Sequence, residues 1–149
     1  MKLFIDGDAL PNGLKPILLK AINRVGIETF VVANKRISLG ASKFVNYIIV
    51  GLGADEADDK IVEMVLDGDL VITADIPLAD RVLTKCAHAI DHRGGVFTPN
   101  DIKHYLSLRN FMQELRESGE QTNGPTPFSK KDIHEFANKL NQIFTKYCK

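Results

Sequence analysis

Five aspartates, Asp6, Asp8, Asp55, Asp58 and Asp75, carry the chemistry this sequence offers. Asp6 and Asp8 end the apolar run Leu3-Phe4-Ile5, Asp75 ends Leu70-Val71-Ile72-Thr73-Ala74, and Asp55 and Asp58 open a stretch with helical periodicity. Carboxylates gathered within a few ångströms repel one another, so they either take up protons or hold a hard divalent cation. Neither cysteine nor histidine accompanies them, which selects Mg²⁺ or Mn²⁺ over a softer metal. Such an ion activates water and neutralises the charge that develops on a phosphodiester, and Asp6, Asp58 and Asp75 are the residues expected to carry that reaction.

Taken singly, most of these acids also have a structural reading. Asp75 can be a turn residue or helix N-cap, and Asp8, before Pro11, can cap the first helix. Asp55 joins Glu56, Asp59 and Glu63 in complementing a helix dipole from a solvated face. Asp58 is different. At 100° per residue it falls inside the apolar arc of Ala54, Ala57, Ile61, Val62, Val65 and Leu66, where an acid needs a partner or a cation.

The elements that must position these acids follow from hydrophobic pattern. Continuous apolar runs such as Leu3 to Ile5 and Leu70 to Ile72 read as strands buried on both faces. Further strands are expected over Ile27–Ala33, Phe44–Val50 and His88–Ile90, and Gly51-Leu52-Gly53 breaks the third. Helices are expected from Pro11 to Gly26, from Ala54 to Leu66, and from Pro77, where Leu78, Val82, Leu83 and Cys86 share one face. Strands alternating with helices mark a mainly parallel sheet in a three-layer α/β/α fold with right-handed crossovers. Sites in such sheets lie outside the carboxyl ends of the strands, where Asp6, Asp8 and Asp75 fall.

Beyond Thr98 the pattern is helical. Thr98-Pro99-Asn100-Asp101 is a capping box, and Ile102, Tyr105, Leu106, Met112 and Leu115 form the stripe of a helix running to about Ser118-Gly119. Residues 1–118 then form the α/β domain, 119–128 a mobile linker with two prolines, and 129–149 a C-terminal amphipathic helix opened by the box Ser129-Lys130-Lys131-Asp132. That helix packs on the same domain or on a partner, so a homo-oligomer is one expectation. Arg109 and Arg116, seven residues apart, share a helix face and can reach phosphate oxygens. Lys35, with Arg36 and Lys43, makes the loop before the third strand basic. The structural reading of these cations is surface ion pairing and solubility.

Composition narrows the classes. The 149 residues hold 19 basic and 19 acidic side chains, which argues against a general nucleic-acid coat. The balance is nevertheless uneven, about −3 up to Asp91 and about +3 beyond it. No apolar run reaches the ~20 residues of a membrane span, and the first strand starts too early to leave room for a signal peptide. Cys86 and Cys148 lack metal-type spacing, so a reduced, cytoplasmic setting is expected. Gly51-Leu52-Gly53 is not a full GxGxxG and follows the wrong strand for a dinucleotide site.

The runs Asp6-Gly7-Asp8-Ala9-Leu10-Pro11, Gly53-Ala54-Asp55-Glu56-Ala57-Asp58-Asp59, Gly68-Asp69-Leu70-Val71-Ile72-Thr73-Ala74-Asp75-Ile76-Pro77-Leu78-Ala79 and Arg109-Asn110-Phe111-Met112-Gln113-Glu114-Leu115-Arg116 resemble those of the uncharacterised bacterial YaiI/YqxD family. The resemblance covers nearly the whole chain. It implies a PIN-like (NYN-type) domain, a fold often associated with metal-dependent RNA cleavage, with single-stranded RNA as partner. Its acids fall on Asp6, Asp8, Asp55, Asp58 and Asp75. The family commonly has cysteine before the proline of its first motif; Leu10 stands there in this chain, which removes any thiol role. Two other functions remain open: a non-catalytic RNA-binding or interaction module, and a haloacid-dehalogenase-like phosphatase with Asp6 as nucleophile and Asp8 as acid/base.

Overall fold

Leu3, Phe4 and Ile5 are fully buried, as a strand covered on both faces requires, and they form β1 (Leu3–Asp6) at the centre of the sheet. The computed structural model describes residues 1–8, 10–53, 55–117 and 128–148. On one side β1 pairs in parallel with β2 (Thr29–Ala33), which pairs with β3 (Val45–Ile49). On the other side it pairs in parallel with β4 (Leu70–Ile72), followed by β5 (His88–Ile90) and an antiparallel β6 (Val96–Phe97). The order is therefore β3-β2-β1-β4-β5-β6.

The helices divide between the two faces by residue parity. Leu3, Ile5 and Val31 point toward α1 (Lys15–Val25) and α5 (Lys130–Tyr147), whereas Phe4, Val32 and Val71 point toward α2 (Glu56–Met64), α3 (Ile76–Thr84) and α4 (Pro99–Glu117). The chain winds outward from β1 to β3 and then returns through α2 to β4 on the far side of β1. Right-handed crossovers in opposite directions must place their helices on opposite faces, which gives the three layers. The reversal leaves a crevice between the carboxyl ends of β1 and β4.

The termini of these elements are chemically specified. A 3₁₀ turn at Asn12–Leu14 leads into α1, which ends at Gly26 in the left-handed region with φ 75°. Ser129 and Asp132 exchange the reciprocal hydrogen bonds of a capping box at the start of α5. Phe136, Leu140 and Phe144 bury that helix against the α1 face, at about 1.5–3 kcal/mol for each side chain removed from water.

Some expectations shift. Val96–Phe97 forms a strand although no strand was expected between His88–Ile90 and the next helix, since two residues carry no readable period. Leu66 lies beyond the end of α2 and is exposed, not part of its apolar face. Cys86 likewise falls past α3, exposed and left-handed with φ 63°. The linker assigned to 119–128 lies outside the described residues except for Phe128, which stands under the Arg93 guanidinium. Among the described residues no helix is long and apolar enough to cross a membrane.

Candidate functional site

The crevice between β1 and β4 is built by two short chain turns and one helix start. Asp6, the last residue of β1, is only 8% exposed. Gly7 follows it because a Cβ there would meet the Val31 methyl at 3.0 Å and Ala33 and Ile37 at 3.2 Å. Its absence lets the chain pass close to β2 and deliver Asp8, whose Oδ1 accepts the Asn34 amide at 2.8 Å. Just past β4, the fully buried Thr73 donates its hydroxyl to Asp6 Oδ2 at 2.9 Å and accepts the Asp75 amide at 3.0 Å. One hydroxyl thus links both strand ends. Asp75 is the N-cap of α3, its Oδ1 accepting the Leu78 amide at 3.0 Å.

The third contribution comes from the start of α2. Asp55 occupies its N-cap in the left-handed region at φ 68°, a conformation that aspartate tolerates better than most residues, and its carboxylate makes no capping bond. Asp58, one turn on, is half-buried as its place in the apolar arc required. Asp59 turns away and pairs with Arg81 at 2.8 Å on the surface.

Together Asp6, Asp8, Asp55, Asp58 and Asp75 line one cleft of about 480 Å³, with Asn34 and the Gly51-Leu52-Gly53 loop completing its wall. Among the described residues no lysine or arginine lines it. The electrostatic consequence is read at Asp58, whose carboxyl is pushed up to about 7 by loss of solvation and then by the charges of Asp75, Asp6 and Asp55, with Arg81 opposing. Asp6 is also raised, mainly by burial, against the Thr73 hydrogen bond and with Asp75 and Asp8 adding to the rise.

The donor set is all carboxylate oxygen, the chemistry of a hard cation such as Mg²⁺ or Mn²⁺. Among the described residues, however, no three of the His, Cys, Asp and Glu side chains are already arranged to hold a metal ion. The acids fit a cation in kind and charge, and drawing them around one requires side-chain rotation. Lys35 follows Asn34 and lines a neighbouring cavity, not this cleft. The side chains of Arg109 and Arg116, on the second half of α4, lie outside what the structure describes.

Thr73 and Asn34 are functional residues that residue-type reasoning passed over. Thr73 had one usable signal, a hydroxyl in an otherwise apolar run two residues before an acid. Asn34 contributes its backbone amide, which no side-chain identity announces.

The family model described as "Uncharacterized BCR, YaiI/YqxD family" matches residues 4–146, a span that contains every acid of the cleft. The chain belongs to the YaiI/YqxD family. Relatives run at full length: a "UPF0178 protein" of Sulfurimonas denitrificans is 62% identical, covering 98% of this chain and 97% of its own. A "UPF0178 protein" of a Sulfurovum species is 56% identical over 99% and 100% of the two chains. The "UPF0178 protein" of Photobacterium profundum is 46% identical over 100% and 99%. No solved structure matches significantly. Membership in the YaiI/YqxD family, described as uncharacterized, specifies no activity, and the function is argued from the cleft.

Proposed function

We propose that this chain is a divalent-metal-dependent nuclease, hydrolysing phosphodiesters in the manner of an endoribonuclease on a PIN-like (NYN-type) fold. The observation that carries this reading is the convergence of five aspartates from three separate segments on one cleft that no basic side chain among the described residues lines. Three of these acids are held by donors, yet the carboxyls of Asp6 and Asp58 are still raised, by burial first and then by the neighbouring acids. Asp6, Asp58 and Asp75 are the residues to hold Mg²⁺ or Mn²⁺, with Asp8 and Asp55 orienting it. When bound, the cation neutralises charge on the phosphate and lowers the pKa of water. The chain's own part is positional: Thr73 fixes the Asp6 carboxylate, the Leu78 amide fixes Asp75, and the Asn34 amide fixes Asp8. Lys35, Arg109 and Arg116 are assigned to the phosphates of single-stranded RNA.

The test is cleavage of single-stranded RNA with Mn²⁺ by wild type, Asp6→Asn and Asp75→Asn. Asparagine keeps an acceptor for Thr73 and for the α3 cap, so folding is preserved while charge is lost. Cleavage lost in both variants supports the proposal; equal cleavage by all three sinks it. A second reading, a non-catalytic RNA-binding module, is favoured by one observation, that no three described acidic side chains stand ready as ligands. It expects salt-sensitive RNA binding without cleavage under any divalent cation, and no saturable Mn²⁺ binding by calorimetry.

A further inference from the structure

A second cavity, of about 350 Å³, lies on the α1 face at the outer edge of the sheet, beneath the loop that leaves β2. Its floor is Val31 and Ala33 of β2 and their register partners Tyr47 and Ile49 of β3. Ile37 closes one side, and Lys35 and Arg36 stand at the rim. The volume and the apolar lining with a few polar groups are those of a small-molecule site.

Three observations make the occupant specific. Tyr47 is 43% exposed and Ile49 57%, so a ring and an aliphatic surface are open to a flat ligand. The Tyr47 ring is held in place because its hydroxyl accepts the Leu39 amide at 3.0 Å, tying the loop to the ring. Lys35 and Arg36 form no ion pair or hydrogen bond with the described residues, leaving both cations for an anion outside the protein. A planar apolar body carrying a negative charge is a nucleobase with its phosphate.

The cavity also adjoins the acidic cleft. Ala33 lines the cavity, Asn34 the cleft and Lys35 the cavity again. A Cβ on Gly7, between Asp6 and Asp8, would meet Val31, Ala33 and Ile37 of the cavity side. A nucleotide strand with one base in the cavity is thereby placed beside the aspartates. We propose that this cavity takes one unpaired nucleobase of a single-stranded nucleic acid, stacked on Tyr47, with Lys35 and Arg36 on its phosphate. The assignment of the neighbouring cleft rests on the nuclease reading above; the base pocket itself does not require cleavage.

The test is binding of a single-stranded decamer containing one 2-aminopurine, as RNA and as DNA, to the full chain in EDTA, where the nuclease reading allows no cleavage. The matched strand with an abasic site serves as control. Wild type is expected to quench the 2-aminopurine and to bind the intact strand more tightly than the abasic one. Tyr47→Ala weakens binding by about 5- to 150-fold, the range of base–aromatic stacking, and Tyr47→Phe retains it. Should Tyr47→Ala fail to fold, Ile49→Glu at an exposed position blocks the same cavity. Lys35→Gln with Arg36→Gln lowers the slope of log affinity on log salt by about 1.4. Equal affinity for intact and abasic strands, no binding of either strand, or unchanged binding by Tyr47→Ala and Ile49→Glu overturns the proposal. Base-dependent binding that persists when no metal-dependent cleavage is found leaves the pocket standing and removes only the nuclease. The RNA and DNA arms decide which nucleic acid is preferred.

Discussion

Asp6 and Asp69 are both buried aspartates at the ends of central strands, 8% and 5% exposed, yet they are surrounded in opposite ways. Asp69, before β4, accepts the Lys2 amide and the Leu66 amide, each at 2.9 Å, and so ties the start of β1 to the turn after α2. Asp6, at the other rim of the same sheet, has the Thr73 hydroxyl and the Asp8 backbone amide as donors but faces the charges of Asp8, Asp58 and Asp75. A carboxylate met by donors contributes stability; a carboxylate met by other carboxylates subtracts from it unless a proton or cation is supplied. The amino-terminal rim is built to hold the sheet together, and the carboxyl-terminal rim to hold something else.

The largest expected effect tests the stabilising half of this contrast. Asp69→Ala leaves two part-buried amides without an acceptor and is expected to cost about 2–4 kcal/mol in urea unfolding. Asp6→Asn, measured in EDTA, keeps the Thr73 bond and removes a repelling charge, so its stability equals or exceeds that of wild type. Comparable losses at the two positions would break the comparison.

Next in size is Thr73→Val. It strips Asp6 of its donor and the Asp75 amide of its acceptor in one nearly isosteric change, at an expected cost of about 1–3 kcal/mol. If the cleft is pre-organised through this hydroxyl, cleavage or Mn²⁺ affinity falls in the same variant by more than the lost stability predicts. A variant that loses stability alone would mark Thr73 as a purely structural link.

The pH dependence sharpens the other half. Asp58 ionises near 3.8 in the unfolded chain and near 7 in the folded one. Between those values the folded state retains a proton that the unfolded state has released, so raising the pH favours unfolding. Metal-free protein is therefore expected to lose melting temperature from about pH 4 to pH 7 and to level off above. Asp58→Asn flattens that slope.

Much of this contrast was readable from residue order. The apolar runs ending at Asp6 and Asp75 predicted buried parallel strands, and the arc of α2 predicted that Asp58 turns inward; the structure has both. That β1 and β4 are neighbours is a property of the winding, which no residue pattern encodes. Asp69 was legible as a residue in a strand motif but not as a cap, because its partners, the amides of Lys2 and Leu66, carry no side-chain signature. The left-handed φ of Asp55 and of Cys86 was hidden for a related reason, as neither is a glycine. Tyr47 and Ile49 read as part of the third strand, and their position at the sheet edge exposes them.

The smallest effect concerns Arg81, and it separates electrostatics from stability most cleanly. Its guanidinium pairs with Asp59 at 2.8 Å, with both side chains largely exposed, so the bond itself is worth about 0.2–1 kcal/mol. The same positive charge draws the Asp58 carboxyl downward against burial and three acids. Arg81→Gln should therefore barely move the urea midpoint while raising the Asp58 titration above its value of about 7, followed by carboxyl ¹³C shifts in metal-free protein. The corresponding substitution at Asp59 removes the same ion pair but leaves Arg81 in place, so it should not raise that titration. If both variants shift Asp58 alike, the field in the cleft comes from local packing at the start of α2, and the acids facing one another no longer account for it.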